Sequence, residues 1–193
     1  MASLETIGWI ACLIYASIPS FWLMIHPRAH YWRSRSRSPY RVLLPLWIAM
    51  WIVLGLGSAR WRHAAIYSSP WMWIPALALF SAGFSIYFQA GKKISGKQLG
   101  GLPEVMPGAN EQHLITSGIW ARVRHPVYLG HLCEMLAWSM GTGLAVLFVL
   151  TAFAVVTGLV MIRLEDKELR TRFGAEYALY RGRVPAVLPR IGR

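Results

Sequence analysis

Arg124, His125, Pro126 and Tyr128 arrive together where a basic loop runs into an apolar helix, a grouping suited to capturing an anion. Pro126 fits a first helical turn, where a missing N–H costs little. The helix N-terminus offers free N–H groups and partial positive charge, and Arg124 adds a full charge, so a carboxylate would bind there. Taken singly, Arg124 reads as a snorkelling anchor and His125 as a cap; their conjunction with Tyr128 points to a site. Deeper in the same helix, His131 and Glu134 are ionisable residues at membrane depth, which normally face a protein interior or a wet cavity. At 100° per residue, Tyr128, His131, Glu134 and Trp138 share an arc of about 120°. That face could line one pocket, with a purely structural His131–Glu134 pair at i and i+3 as the competing reading.

The elements that must position these residues are membrane helices. Of 193 residues, 55% are hydrophobic, 10 are Trp and only 8 are acidic, which leaves too little polar surface for a water-soluble domain. Apolar runs at 7–25, 42–57 and 71–90 predict three helices. The run 127–162 is too long for one crossing and holds Gly141-Thr142-Gly143 near its middle, which predicts a helical hairpin and brings the count to five. Eighteen Lys and Arg then fall on one side of the layout and only Arg60 and Arg62 on the other. The positive-inside rule puts the eighteen in the cytoplasm and the N-terminus outside. The net charge of +12 thus reads as a topology signal and not as a nucleic-acid footprint. The Arg-Ser run 33–38 is expected to be a solvated basic loop with some attraction for anionic lipid.

Residues 1–90 are therefore read as a three-helix transmembrane part, and 91–193 as a cytoplasmic loop, hairpin and tail that carry the chemistry. The loop 91–124 has Gly100-Gly101 but lacks the strand-GxGxxG-helix setting of a dinucleotide fold. Cys12 and Cys133 lie far apart inside apolar runs, giving neither a disulfide framework nor a metal spacing. After the hairpin, Leu164, Leu169, Phe173, Tyr177 and Tyr180 predict an amphipathic cytoplasmic helix over 163–180, weakened at Gly174. Glu165 and Asp166 would open it, where acidic residues are favoured with no functional role.

Two segments, LITSGIWARVRHPVYLG (114–130) and EDKELRTRFGAEYALYRGRVPAVLP (165–189), occur in this order around the hairpin. Together they resemble the isoprenylcysteine carboxyl methyltransferase family and its relatives, the membrane phospholipid methyltransferases. The resemblance implies an all-α integral membrane enzyme that binds S-adenosylmethionine without a Rossmann fold, between hairpin and tail. It places His125 and Tyr128 in the cofactor pocket, Glu165 on the donor's cationic part, and Leu114 and Ile115 near its adenine. Arg124 and Arg183 match arginines expected near the cofactor carboxylate or the substrate. The chain departs from the pattern at Trp120, where Tyr is common, at Asp166, where a second Glu is usual, and at His131 and Glu134, which replace aromatic residues.

The implied acceptor is lipophilic. An isoprenylcysteine-type carboxylate is already ionised and needs only alignment and desolvation. An aminophospholipid amine, the alternative, must first lose a proton, and Glu134 or His131 could take it. Membrane lipids are the other expected partners. Competing classes are a non-catalytic scaffold or lipid-binding module and the membrane sterol reductases, whose C-terminal region is related but whose chains are far longer.

Overall fold

The computed structural model describes residues 2–34, 38–101, 105–106 and 113–190. Arg35 and Arg37 of the Arg-Ser run, loop residues 102–104 and 107–112, and Arg193 of the basic count lie outside them. Every regular element among the described residues is helical: α1 (Ala2–Ile25), α2 (Ala29–Arg33), α3 (Tyr40–Ala59), α4 (Trp73–Gly91), α5 (Gly96–Leu99), α6 (Pro126–Thr142) and α7 (Ala145–Arg183). Short 3-10 turns at His26–Arg28, Pro70–Met72 and Gly118–Ala121 join them.

Four helical segments are long and apolar enough to cross a bilayer: Ser3–Arg33, Tyr40–Ala59, Pro70–Gly91 and Ala145–Arg183. With 17 residues, and with His131 and Glu134 inside it, α6 is shorter than these. Val53, Leu56, Ile74, Phe84 and Phe88 expose their side chains on the outside of α3 and α4, as a surface solvated by lipid tails does. Inside, Cys12, Leu13 and Ala16 of α1 pack on Met135 of α6 and on Val146, Leu147 and Leu150 of α7.

In hydrocarbon, helices are held by close packing and by polar contacts. The indoles of Trp47 and Trp51 on α3 both donate to the Ser17 hydroxyl of α1, at 2.8 and 2.6 Å. Ser139 and Thr151 share a hydrogen bond of 3.1 Å between α6 and α7. Between α4 and α6 the approach is closer still. A Cβ on Gly130 would sit 2.5 Å from the Tyr87 ring, and one on Gly141 2.7 Å from the Trp73 ring.

The glycine turn forms as expected. Gly143 ends α6 in the left-handed region (φ 68°), and α7 begins two residues later at Ala145. The loop before α4 is pinned here, since Ile66 N–H donates to Gly143 O and Ala145 N–H to Ala64 O, each at 2.8 Å. A Cβ at Gly143 would lie 2.2 Å from the Tyr67 carbonyl oxygen. Gly143→Ala is therefore expected to destabilise the protein by roughly 2 kcal/mol or more, read as a fall in thermal midpoint in detergent. An unchanged midpoint would contradict this account of the turn.

Past the apolar run the structure departs from expectation. No separate amphipathic helix begins at Arg163; α7 continues unbroken from the apolar segment to Phe173. The reason is local, since 163–173 holds neither Gly nor Pro and is built of good helix formers. The break comes at Gly174, in a conformation open only to glycine (φ 58°, ψ −129°). Glu165 and Asp166 thus stand in mid-helix, and the favourable first-turn charge foreseen for them does not apply.

Candidate active site

Three pieces of chain converge where α6 begins: the 3-10 turn Gly118–Ala121 with the residues after it, the 163–183 portion of α7, and the tail beyond Val184. The tail folds back, so that Arg124 N–H donates to Pro185 O and His125 N–H to Ala186 O, both at 2.9 Å. Tyr180 donates to Trp120 O at 2.7 Å from the other flank. Two donors at the entrance of α6 are thereby satisfied by the RVPAVLP segment.

The Arg124 guanidinium, expected to hold an anionic ligand, is already engaged. Nη2 lies 2.9 and 3.2 Å from the two Asp166 oxygens, and Nη1 donates to Val184 O at 2.6 Å. Asp166 also meets Arg181 Nε at 3.1 Å and accepts a hydrogen bond from the Tyr177 hydroxyl. Asp166 is buried, yet each of its oxygens has a cationic or hydroxyl partner. Burial alone would lift its pKa, but His125, Tyr177 and Arg124 outweigh that and hold it at about 2.

His125, whose side chain is only 4% exposed, stands between two carboxylates, with Nδ1 3.2 Å from Glu165 and Nε2 3.5 Å from Asp166. Desolvation pulls the imidazole towards neutrality; the two anions prevail and raise it to about 9. Glu165 is correspondingly lowered: burial pushes it up, while His125 and then His26 draw it down further. At neutral pH the centre therefore holds an imidazolium among two carboxylates and two arginines.

Beside this centre lies a cavity of about 460 Å³. Leu114, Ile115, Arg124, His125, Tyr128, His131 and Glu165 all line it, so seven of the ten residues singled out in the sequence come together. A second, more apolar cavity of about 230 Å³ adjoins it, between α1, α6, α7 and the tail residues Val187 and Leu188. Tyr128 and His131 border both.

The other three lie elsewhere. Glu134 is buried against α4, where a Cβ on Gly83 would come within 2.8 Å of its carboxyl oxygen. Trp138 packs edge-on to Trp73 and Phe80, in the helix core. Arg183 is exposed at the end of α7 and borders neither cavity. The 120° arc of α6 thus divides, because its Glu134–Trp138 portion meets α4 while Tyr128 and His131 turn towards the cavities.

The far wall of the larger cavity comes from α1 and α3, through Phe21, Trp22, Tyr40 and Trp47. His26 was not foreseen. It is buried, stacks on Trp22 with centroids 5.0 Å apart, and approaches Glu165 and Glu168 to 4.0 Å each. Arg33 braces Glu168 at 2.9 Å. In the sequence His26 shows only as a histidine closing an apolar run.

The sequence model of the phospholipid methyltransferase family matches residues 74–176. Methanethiol S-methyltransferase 2 of Bradyrhizobium diazoefficiens is 31% identical over 151 residues, 76% of this chain and 51% of the relative. A Delta(14)-sterol reductase of Mus musculus is 35% identical over 96 residues, 49% of this chain and 23% of the reductase. The cobalt-zinc-cadmium resistance protein CzcN of Cupriavidus metallidurans is 41% identical over 86 residues, 44% of this chain and 39% of that protein. The chain spans about half the length or less of these curated relatives. No solved structure matches it.

Proposed function

The chain belongs to the phospholipid methyltransferase family, and from that premise we propose that it is a membrane methyltransferase moving a methyl group from S-adenosylmethionine to a lipophilic acceptor. The observation that carries this reading is the pair of adjoining cavities, one floored by ion-paired side chains and one apolar, that meet at Tyr128 and His131.

The residues of the larger cavity suit that donor. Arg124 Nε is buried without a hydrogen-bond partner among the described residues, and so are both nitrogens of His26, which stands beside Glu165. Such groups await polar partners. When bound, S-adenosylmethionine supplies an electrophilic methyl carbon on a sulfonium. Glu165 would face its cationic part, Leu114 and Ile115 would hold the apolar side of its base, and His125 would keep Glu165 ionised and oriented. Arg124 and Asp166 are positioning residues, which fix the entrance of α6 against α7. The aromatic wall from α1 and α3 shields this space from water.

The distribution of Lys and Arg supports a cytoplasmic face for the active site, and α6 is read as the fifth crossing, antiparallel to α7. The motif pair implies an isoprenylcysteine-type carboxylate as acceptor, with N-methylation of an aminophospholipid as the alternative. The Bradyrhizobium relative, named for a thiol, adds a third chemistry.

The test is transfer of labelled methyl from S-adenosylmethionine by purified protein in detergent, offered in turn a prenylcysteine analogue, an aminophospholipid and an apolar thiol. Label should appear in at least one. A protein that gains no thermal stability from the methyl donor and labels none of them would instead be a scaffold or lipid-binding module.

A further inference from the structure

We infer that His131 is the general base of the reaction and that the acceptor it serves is an apolar thiol, delivered with its proton still on sulfur. The inference rests on the methyltransferase reading above and concerns the residues where its two cavities meet.

His131 borders both cavities. Its Nδ1 is enclosed by protein and has no hydrogen-bond partner among the described residues, which leaves Nε2 as the nitrogen that meets a ligand. Three tyrosines surround the ring: Tyr15 from α1 with centroids 4.9 Å apart, Tyr87 from α4 at 5.6 Å and Tyr128 from α6 at 6.1 Å. No carboxylate or arginine forms an ion pair with it among the described residues; Glu134, a turn away, is turned against Gly83. A ring so placed rests neutral, with a lone pair to offer.

The same surroundings select the nucleophile. The smaller cavity is lined by Pro19, Met135, Ala154, Leu159 and similar side chains, and among its lining residues there is no Asp, Glu, Lys or Arg. A carboxylate would enter it without a cation, because Arg124 is committed to Asp166 and Val184 O. An ammonium would enter without an anion. A thiol enters neutral and very little of it is ionised at neutral pH, so it needs a base at the reaction point.

The step balances. His131 takes the S–H proton at Nε2, and the sulfur forms its new bond to the methyl carbon. The carbon–sulfonium bond breaks, its electron pair staying on the departing sulfur, so the products are a methyl thioether and a neutral demethylated donor. The imidazolium, steadied by the tyrosine rings, returns its proton to water through the larger cavity.

The experiment compares wild type with His131→Phe, which keeps an aromatic ring among the tyrosines, and with His131→Gln. Wild type should methylate an alkanethiol in preference to a prenylcysteine carboxylate or an aminophospholipid. Both variants should lose about 100-fold or more in kcat near neutral pH. Raising the pH should restore them progressively as the thiol ionises unaided. Independently of turnover, nitrogen-15 spectra of histidine-labelled protein without methyl donor should show the His131 ring signal shifting on addition of the thiol and not of its methyl thioether. Both variants should still be stabilised thermally by S-adenosylhomocysteine, which shows that they fold. Transfer only to the carboxylate or the amine, or variants with wild-type pH profiles, would overturn the inference while leaving the methyltransferase reading intact. Wild-type protein that neither binds the donor nor transfers methyl would remove both.

Discussion

Asp166→Asn should be the most damaging single-atom change in the molecule. Its carboxylate is the shared anion for Arg124, Arg181 and His125, and it accepts the Tyr177 hydroxyl bond. The amide would leave the buried Arg124 guanidinium beside a neutral group. Removing one member of a buried pair costs about 3–5 kcal/mol. The expected results are a large fall in thermal midpoint and loss of donor binding by calorimetry, with Asp166→Glu recovering part of each. A variant with wild-type midpoint and affinity would show that the network is not what holds α6 to α7. The shorter Asp, in place of a usual Glu, suits this position because Arg124 and Tyr177 both come up to it at contact distance.

The second large effect is on pH. His125 is raised from 6.5 to about 9, so its pairing contributes fully below about pH 6.5 and is lost as pH rises through about 9. Asp166 is lowered from 3.8 to about 2, so its share is present above about pH 3.8 and is lost as pH falls through about 2. The two shifts arise from one set of contacts and are not added. With Glu165 also lowered from 4.5, stability should be flat between about pH 4.5 and 6.5 and should fall by roughly 3 kcal/mol across the alkaline limb. Thermal midpoints from pH 5 to 10 for wild type and His125→Gln measure this. The variant should be less stable at pH 6 but lack the alkaline decline, and a wild-type midpoint that rises between pH 6.5 and 9 would refute the assignment.

The helices were legible because lipid demands long apolar runs, and the hairpin because Gly143 must occupy a left-handed conformation. Its partner in that turn, the Tyr67 carbonyl, was not legible, since it comes from a loop more than seventy residues earlier. His125, Tyr128 and Glu165 were foreseen through two motifs, and they do share one cavity. Periodicity misled at Glu134 and Trp138, because a helical face records direction but not which neighbour it meets. Here that neighbour is α4, drawn close by Gly83, Gly130 and Gly141. The Trp22–His26 stack was illegible for a related reason: it sits at the end of the first helix, more than 130 residues from Glu165, and no motif joins them.

The return of the tail over the start of α6 has a bearing on biogenesis. Pro185 and Ala186, whose carbonyls accept from the Arg124 and His125 amides, are translated after α1 to α7. A nascent chain can therefore form α1 to α7 and pair Arg124 with Asp166 while the entrance of α6 is still uncovered. Covering that entrance falls to the stretch after α7, whose Val187 and Leu188 also wall the smaller cavity. A ribosome stalled short of Val184, or a protease trimming back to it, would leave the helices in place but both amides uncovered and the smaller cavity without one wall.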